Sequence, residues 1–197
     1  FLGDQSAIPV GQYVTVLNIT TYPYSRGHIH ITGPHIMNPL DFDIGFFTDA
    51  GDIDLKQQVW AYKKQREIMR RTSMYRGELA MGHPRYPSGS PAACVEIDAP
   101  LGDVTDIKYS AKDNKAIEDW LRLKLATPWH SLGTARIASR DDFGVVDENL
   151  NVYGLQRLKI ADMSVVPKNM GSNTNNAAMI IGGKAADIII AELMLKR

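Results

Sequence analysis

Alternating apolar and polar positions predict two β-strands in the first part of the chain. Residues 13–20 are rich in β-branched side chains and alternate in polarity, as a strand with one buried face does. Residues 26–32 alternate again, with isoleucines on one face and histidines on the other, and a Gly-Pro pair ends the pattern. We predict that the two strands pair as antiparallel neighbours.

Helical spacing of apolar residues replaces this alternation in three later segments. Residues 52–71 carry one apolar stripe beside a basic face, which predicts a surface helix. Ser110 and Asp113 form a capping pattern that opens a second helix over residues 112–125. The apolar segment 177–195 predicts the last helix.

The remaining segments have less regular patterns. Residues 82–106 are rich in Pro, Gly and Ser and show no period, so we predict a long loop that is functional or mobile. Residues 144–162 predict short strands separated by turns. Gly182 and Gly183, inside the last helix, suggest the close approach of another element. Together the elements predict a mixed α/β (α+β) fold.

Charge and composition favour no macromolecular partner. The 197 residues are 44% hydrophobic, with 22 basic and 22 acidic side chains and no long charged run. The sequence therefore favours neither nucleic acid nor an anionic membrane surface, and no stretch reaches the roughly 20 apolar residues of a bilayer span. The single cysteine, Cys94, excludes an internal disulfide and a cysteine-built zinc site.

The two ends of the sequence carry limited information. Residues 1–4 lack the initiator methionine and basic start of a nascent chain, so we expect a C-terminal piece of a longer polypeptide. Residues 195–197 do not form a recognised peroxisomal tripeptide. Localisation is left open.

Histidines near the predicted strands invite comparison with a metal site. His28 and His30 lie on one strand face, where two imidazoles can share an ion. His35 lies beyond the Gly-Pro turn and has no carboxylate at helical spacing, so we favour a structural role for the trio. His83, in the long loop, has no evident orienting partner, and the same interpretation is favoured for it.

His130 and Asn173 are the strongest candidates for chemistry. His130 follows Pro128 and Trp129 and precedes a small-residue turn, residues 131–134, which lets a flat group approach the backbone. By itself, a histidine after a tryptophan is equally well explained as a packed side chain. Asn173 is either the N-cap of the last helix or a polar group beside that helix's free N–H donors, where an electron-rich ligand is favoured.

The segment between these two candidates could return both side chains to one wall. Its short predicted strands, within residues 144–162, would then build a pocket with one base and one amide. Asp162 stands at a strand end, where ligand-binding groups collect in open sheets, although alone it is no better than a turn residue.

Four motifs surround these candidates. They are Trp129-His130-Ser131-Leu132-Gly133-Thr134, residues 144–154, residues 158–167, and Asn173-Thr174. Joined, they resemble the C-terminal region of the glucose-methanol-choline (GMC) flavoprotein oxidoreductases, and most of all the fungal alcohol (methanol) oxidases. Residues 22–32 and 60–64 also resemble that family's substrate domain, so the resemblance covers essentially the whole chain.

The resemblance implies two domains. Residues 1–125 would form part of a substrate-binding domain, an antiparallel sheet with helices, and residues 126–197 the active-site segment and the C-terminal part of an FAD-binding domain. The family's Gly-x-Gly-x-x-Gly motif does not occur here, so an N-terminal FAD-binding segment of the same protein is an expected partner. The chain is also shorter than yeast-type alcohol oxidases before the base, which leaves a homo-oligomer open.

The implied activity is the oxidation of a small alcohol to a carbonyl, with hydride transfer to a bound FAD and reduction of O2 to hydrogen peroxide. In family terms His130 is the base that takes the hydroxyl proton, a task suited to imidazole. Asn173 donates a hydrogen bond to the substrate oxygen and holds it.

The resemblance also implies cofactor contacts. Trp129 packs against substrate or flavin, and Asp162 and Met163 lie near the ribityl chain and pyrophosphate. The backbone at Asn173 and Thr174 lies near the flavin pyrimidine.

Other activities of the same family stay open. They include formate or aryl-alcohol oxidation and hydroxynitrile lysis, and the chain would be a non-catalytic fragment if the FAD half were absent. Formate oxidases carry an Arg at the second active-site position, so Asn173 argues against formate. The choice between oxidase and dehydrogenase, and the identity of the alcohol, are not decided by the sequence.

Overall fold

The chain divides into two compact units. The structure, a computed structural model, describes residue 6 and residues 8–194. One unit consists of Phe1–Thr20 and Phe46–Ala126, and the other of Thr21–Gly45 and Thr127–Arg197. The first unit ends beside the predicted boundary, but residues 21–45 group with the second unit. The assignment of a substrate-binding domain to residues 1–125 therefore stays a prediction, and the expectations for residues 1–4 and 195–197 lie outside the described residues.

Two helices pack together to form the core of the first unit. Helix α1 spans Ile53–Arg70 and helix α2 spans Ala111–Lys124, each within one residue of its predicted bounds. The buried side chains that they share are Leu55, Tyr62, Ile117 and Leu121. The apolar stripes recognised in the sequence are the faces that meet.

The predicted cap of α2 is confirmed as a capping box. Ser110 Oγ accepts from the backbone N–H of Asp113 at 3.2 Å, and Asp113 Oδ2 accepts from the backbone N–H of Ser110 at 2.7 Å. Ser90 donates a further hydrogen bond to Asp113 at 2.6 Å. Burial alone would raise the pKa of Asp113, but the hydrogen bonds from Ser90 and Ser110 hold that pKa below its ordinary value.

The long loop predicted for residues 82–106 is confirmed as irregular backbone. It begins at the end of a single 3-10 turn, Ala80–Gly82, and its Glu96 forms an isolated bridge with Gly77. Because Ala92 is fully buried and Ser90 bonds to the cap of α2, part of this loop is packed against the unit.

A short hairpin in the second unit corrects the predicted strand pairing. Strand β1 spans His28–His30 and pairs antiparallel with β2, Asp41–Asp43, so that Ile29 lies opposite Phe42. Residues 13–20 form no strand, and most of their apolar side chains are exposed. Alternation alone does not make residues 13–20 a strand, because a strand also needs a neighbouring strand to pair with. The turn after β1 brings β2 alongside β1, and β2 takes the place that residues 13–20 were expected to fill.

The core of the second unit is built from single-residue bridges and one helix. Bridges join Ile137 to Val146, Val146 to Val152 and Asn151 to Lys159, so the short strands predicted for this region are reduced to isolated pairings. Helix α3, Asn175–Glu192, contributes Ala185 to this core. The described part of α3 starts two residues before the prediction and ends before residue 195.

The mixed α/β (α+β) class is thus confirmed, with helices and a small antiparallel sheet. Within residues 8–194, no helix has both the length and the apolar character needed to span a membrane.

Candidate active site

The backbone before His130 adopts an uncommon conformation. Trp129 has φ of 64°, in the left-handed region that bulky residues rarely enter. Its N–H donates to the hydroxyl of Thr127 at 3.0 Å, which helps to hold the turn. Trp129 as a whole is 80% exposed, so the described residues leave it accessible to a ligand.

The backbone after His130 is held beside residues 163–165. Gly133 donates to the carbonyl of Met163 at 3.3 Å, and Ala135 donates to that of Ser164 at 2.9 Å. Because these bonds join the two segments, residues that the sequence places about 30 positions apart lie side by side.

His130 lies between two neighbouring residues at the start of α3. Its Nε2 is in hydrogen-bond contact with Asn173 Oδ1, and its Nδ1 lies 2.8 Å from Thr174 Oγ1. Thr174 is buried, whereas Asn173 is exposed and the imidazole is half-buried. The structure therefore brings the two strongest sequence candidates together, and adds a hydroxyl on the far side of the ring.

Asn173 is not the N-cap of α3, so one of its two sequence interpretations is wrong. The N-cap residue is Thr174, and the helix begins at Asn175. No side-chain hydrogen bond caps this end of the helix. The side chains of Asn173 and Thr174 both contact His130 instead.

A groove of about 460 Å³ lies among residues next to this pair. It is lined by Ser131, Leu132, Thr134, Ala161, Asp162, Met163, Ser164 and Ala178. Asp162 accepts from the backbone N–H of Ser164 at 2.8 Å, and the hydrogen bonds from Ser164 hold the pKa of Asp162 below its ordinary value. Two predicted cofactor contacts, Asp162 and Met163, thus share one open groove.

The first unit contains a cluster with metal-ligand spacing that the sequence did not indicate. Among the described residues, ligand atoms of Glu78, His83 and Cys94 lie within 4.8 Å of one another. Glu78 is already paired through both oxygens with Arg66, whose positive charge disfavours a cation. Burial raises the pKa of Cys94 to about 11, so its thiol keeps its proton.

The same cluster gives His83 the orienting partner that its sequence context lacked. Its Nδ1 lies 2.7 Å from the hydroxyl of Tyr62, which also accepts from Tyr86 at 2.9 Å. Burial lowers the pKa of His83, which favours the neutral ring. We interpret the cluster as a structural network, because Glu78 is paired with Arg66 and His83 with Tyr62.

The histidines of the hairpin contact one another and a carboxylate. The rings of His28 and His30 stack with centroids 5.2 Å apart, and His28 Nε2 lies 3.2 Å from Asp41 Oδ1. Within the described residues His35 does not join them in a group with metal-ligand spacing.

Comparison with known proteins identifies the family. A family model described as GMC oxidoreductase matches residues 23–182. Alcohol oxidase 1 of Komagataella phaffii is 37% identical over 238 aligned residues, which cover 98% of this chain and 36% of that protein. The aligned length exceeds the 197 residues of this chain, so the relative has residues without a counterpart here. The predicted resemblance to fungal alcohol oxidases is confirmed.

Solved structures show a similar fold at lower identity. Pyridoxine 4-oxidase from Mesorbium loti has a TM-score of 0.61 at 22% identity, covering 85% of this chain and 28% of its own. A formate oxidase from Aspergillus oryzae, studied for modification of its FAD, has a TM-score of 0.61 at 21% identity. The match covers 84% of this chain and 25% of the formate oxidase.

The matched proteins are much longer than this chain, which spans about a third of the curated relative's length. Because the family model matches residues 23–182 and the relative is 37% identical across nearly the whole chain, the chain belongs to the GMC oxidoreductase family.

Proposed function

We propose that the whole protein oxidises a small alcohol to the corresponding carbonyl, with FAD as cofactor and O2 reduced to hydrogen peroxide. The observation that carries the proposal is the contact between His130 and Asn173 beside the groove. The 37% identity to an alcohol oxidase supports the choice of an alcohol over other substrates of the family.

His130 and Asn173 have complementary tasks in this proposal. An alcohol hydroxyl placed where the two side chains meet can give its proton to Nε2 of His130. The amide NH2 of Asn173 can donate to the same oxygen and fix its direction. Bound FAD supplies the acceptor for the hydride that leaves the alcohol carbon and, afterwards, the two electrons that reduce O2.

The residues around the groove fit part of FAD. The ionised carboxylate of Asp162 offers an acceptor for hydroxyl groups such as those of the ribityl chain. Met163 and Trp129 offer apolar surface for the flavin. The first turn of α3, which no side chain caps, offers N–H donors next to Thr174 for an electron-rich ring.

The ADP half of FAD requires protein beyond these residues. No Gly-x-Gly-x-x-Gly motif occurs in the sequence, and the chain spans 36% of the length of its relative. We therefore propose that an N-terminal FAD-binding segment of the same protein completes the cofactor site.

The test uses the complete protein and a series of alcohols from methanol to benzyl alcohol, with formate as a non-alcohol comparison. We expect at least one alcohol to bleach the flavin absorbance without oxygen, and hydrogen peroxide to form in stoichiometric amount when air is admitted. A protein that binds FAD but is bleached by none of the alcohols would contradict the proposal and favour a lyase of the same fold. Bleaching by formate alone would exclude an alcohol as the substrate.

A further inference from the structure

We propose that Thr174 is the positioning residue for His130, holding the ring's N–H at Nδ1 and directing the lone pair of Nε2 towards Asn173. This inference rests on the proposed function, in which His130 takes the proton of the alcohol. It assigns a task to the Thr174 side chain in addition to the cofactor contact expected of its backbone.

The hydroxyl of Thr174 does not cap the helix, although the residue occupies the N-cap position. A threonine at an N-cap normally accepts a hydrogen bond from the second or third N–H of the helix. Thr174 occupies the N-cap of α3 with helical φ and ψ of −85° and −7°, and makes no such bond. Its Oγ1 lies instead 2.8 Å from His130 Nδ1, on a residue that is only 8% exposed.

The two sides of the imidazole differ in what can reach them. A neutral imidazole carries one N–H and one lone pair, so it can accept a proton at only one nitrogen. Nδ1 is next to the buried hydroxyl of Thr174, while Nε2 is next to the exposed Asn173. Substrate can approach from the Asn173 side, so the productive tautomer has its hydrogen on Nδ1, with Thr174 Oγ1 as the acceptor.

The same hydrogen bond serves after the proton has moved. Once Nε2 has taken the alcohol proton, both ring nitrogens of His130 carry hydrogens and both are donors. Thr174 Oγ1 is already in place to accept from Nδ1–H, so the ring keeps its orientation while it is charged.

The proposal also fixes the orientation of the Asn173 amide. Oxygen and nitrogen of an amide exchange places by a half-turn of the group, and their assignment follows from the hydrogen bonds. With the lone pair on Nε2, the NH2 of Asn173 faces that nitrogen in the resting enzyme, which is the half-turn alternative to the Oδ1 contact described above. The group that would hold the alcohol oxygen then points to the reaction position before substrate arrives.

The test reads the tautomer directly by NMR. The complete, flavin-bound protein is labelled with 15N in its histidines, and the His130 signals are assigned by their loss in His130→Asn. We expect the protonated-nitrogen shift at Nδ1 in the native protein and in Thr174→Ser, and a mixture of tautomers in Thr174→Val. A hydrogen on Nε2 in the native protein, or an unchanged Nδ1–H in Thr174→Val, would overturn the proposal. If the valine variant does not fold, the native spectrum alone decides.

Reduction kinetics give a second readout. At saturating alcohol we expect Thr174→Val to slow flavin reduction roughly 10- to 100-fold, because His130 presents the wrong nitrogen to the substrate in part of the molecules. We expect little change in alcohol affinity, because the substitution affects the orientation of the base and not the binding of the alcohol. Thr174→Ser should restore most of the rate, and a serine variant as slow as the valine variant would contradict a role for the hydroxyl. The NMR measurement reads the tautomer without turnover, so it tests the positioning role of Thr174 alone. An unimpaired reduction rate in His130→Ala would instead show that His130 is not the base.

Discussion

The imidazole of His130 has a different neighbour at each of its two nitrogens. A buried hydroxyl lies at one and an exposed amide at the other, and both come from consecutive residues at the start of one helix. A general base needs such asymmetry, because an imidazole that could turn freely would present the wrong nitrogen part of the time.

Replacing His130 by alanine should remove the base. In the complete protein we expect His130→Ala to slow flavin reduction by the alcohol roughly 100-fold or more, since a methyl group cannot take the hydroxyl proton. Stopped-flow absorbance measures this rate. His35→Ala, an exposed histidine of the hairpin turn, is the matched control and should leave the rate unchanged. Equal rates in both variants would exclude His130 as the base.

Replacing Asn173 by alanine should have a smaller effect. The loss of one hydrogen bond to the substrate oxygen predicts a decrease of about tenfold in the reduction rate, with FAD retained. The control is Asn176→Ala, an exposed amide in the first turn of α3. If Asn173→Ala lost its bound flavin, and the fraction that kept flavin were reduced at the native rate, the residue would be assigned to cofactor binding alone.

Residue types and their motifs were sufficient to predict that His130 and Asn173 lie together on one wall. The hydrogen bond of Thr174 was not predictable from them. It depends on how a residue 44 positions away places its ring, and nothing in the local pattern separates a threonine that caps a helix from one that does not.

At the scale of elements, the helices were predicted closely and the strands were not. The bounds of α1 and α2 lie within one residue of their predictions because caps and apolar stripes are local. The strand predicted for residues 13–20 is absent because pairing is not local, and the partner of β1 comes from Asp41–Asp43. Just beyond β2, Gly45 has φ of 69° and lies against the backbone of Arg26, so that a Cβ would meet the carbonyl of Arg26. Glycine is therefore the residue that fits this position.

The capping box of α2 allows a prediction about stability. Ser110→Ala should lower the free energy of unfolding by about 1 kcal/mol, because it leaves the N–H of Asp113 without its acceptor. Urea denaturation followed by circular dichroism measures the change. Ser88→Ala, an exposed loop serine, should stay within about 0.5 kcal/mol of the native protein. A loss of the same size in both would show that the cap contributes nothing.

The carboxylate of this cap also predicts a dependence on pH. The pKa of Asp113 is held below that of an unfolded chain, about 3.9, so its contribution to stability is fully present above that pH. The contribution is lost as the pH falls through the lower, folded pKa. We expect Asp113→Asn to be less stable at pH 7 and to lose less stability on acidification to pH 3, as measured by denaturation at both pH values. An equal acid loss in the two proteins would contradict this role.

At the scale of the whole molecule, the family was predictable and the grouping of segments was not. The joined motifs alone indicate the GMC oxidoreductases, and the family model that matches residues 23–182 agrees with them. Residues 21–45 lie in the unit of residues 127–197, where a Cβ on Gly171 would come 2.9 Å from the hydroxyl of Tyr22. Contacts between segments so far apart leave no mark in the local pattern.

The described part of α3 exposes much apolar surface. Ala185 is its one buried residue, and Met179 and Ile180 are 62% and 72% exposed. A Cβ added at Gly182 or Gly183 would meet nothing within 4 Å among the described residues, so the close approach predicted there is not made by them. The close approach expected at these glycines therefore stays a prediction.

The proposed division of the FAD site between segments predicts the behaviour of this chain alone. Expressed as residues 1–197, it should not retain FAD on gel filtration, because it lacks the dinucleotide-binding motif. The complete protein, run in parallel, should elute with flavin absorbance. Flavin that remains with the isolated chain would show that the residues described here bind the cofactor unaided.

Because Thr174 both occupies the N-cap of α3 and contacts His130, the orientation of the imidazole depends on whether this end of the helix is frayed. The N-cap residue of α3 also contacts the Nδ1 side of His130, so we expect opening of the first helical turn to release that side of the imidazole. The fraction of molecules with a correctly held base then cannot exceed the fraction in which this turn is closed. Amide hydrogen exchange at Ala178, whose N–H donates to the carbonyl of Thr174 at 2.9 Å, would report the closure of this turn, and with it the positioning of the proposed base, without any substrate.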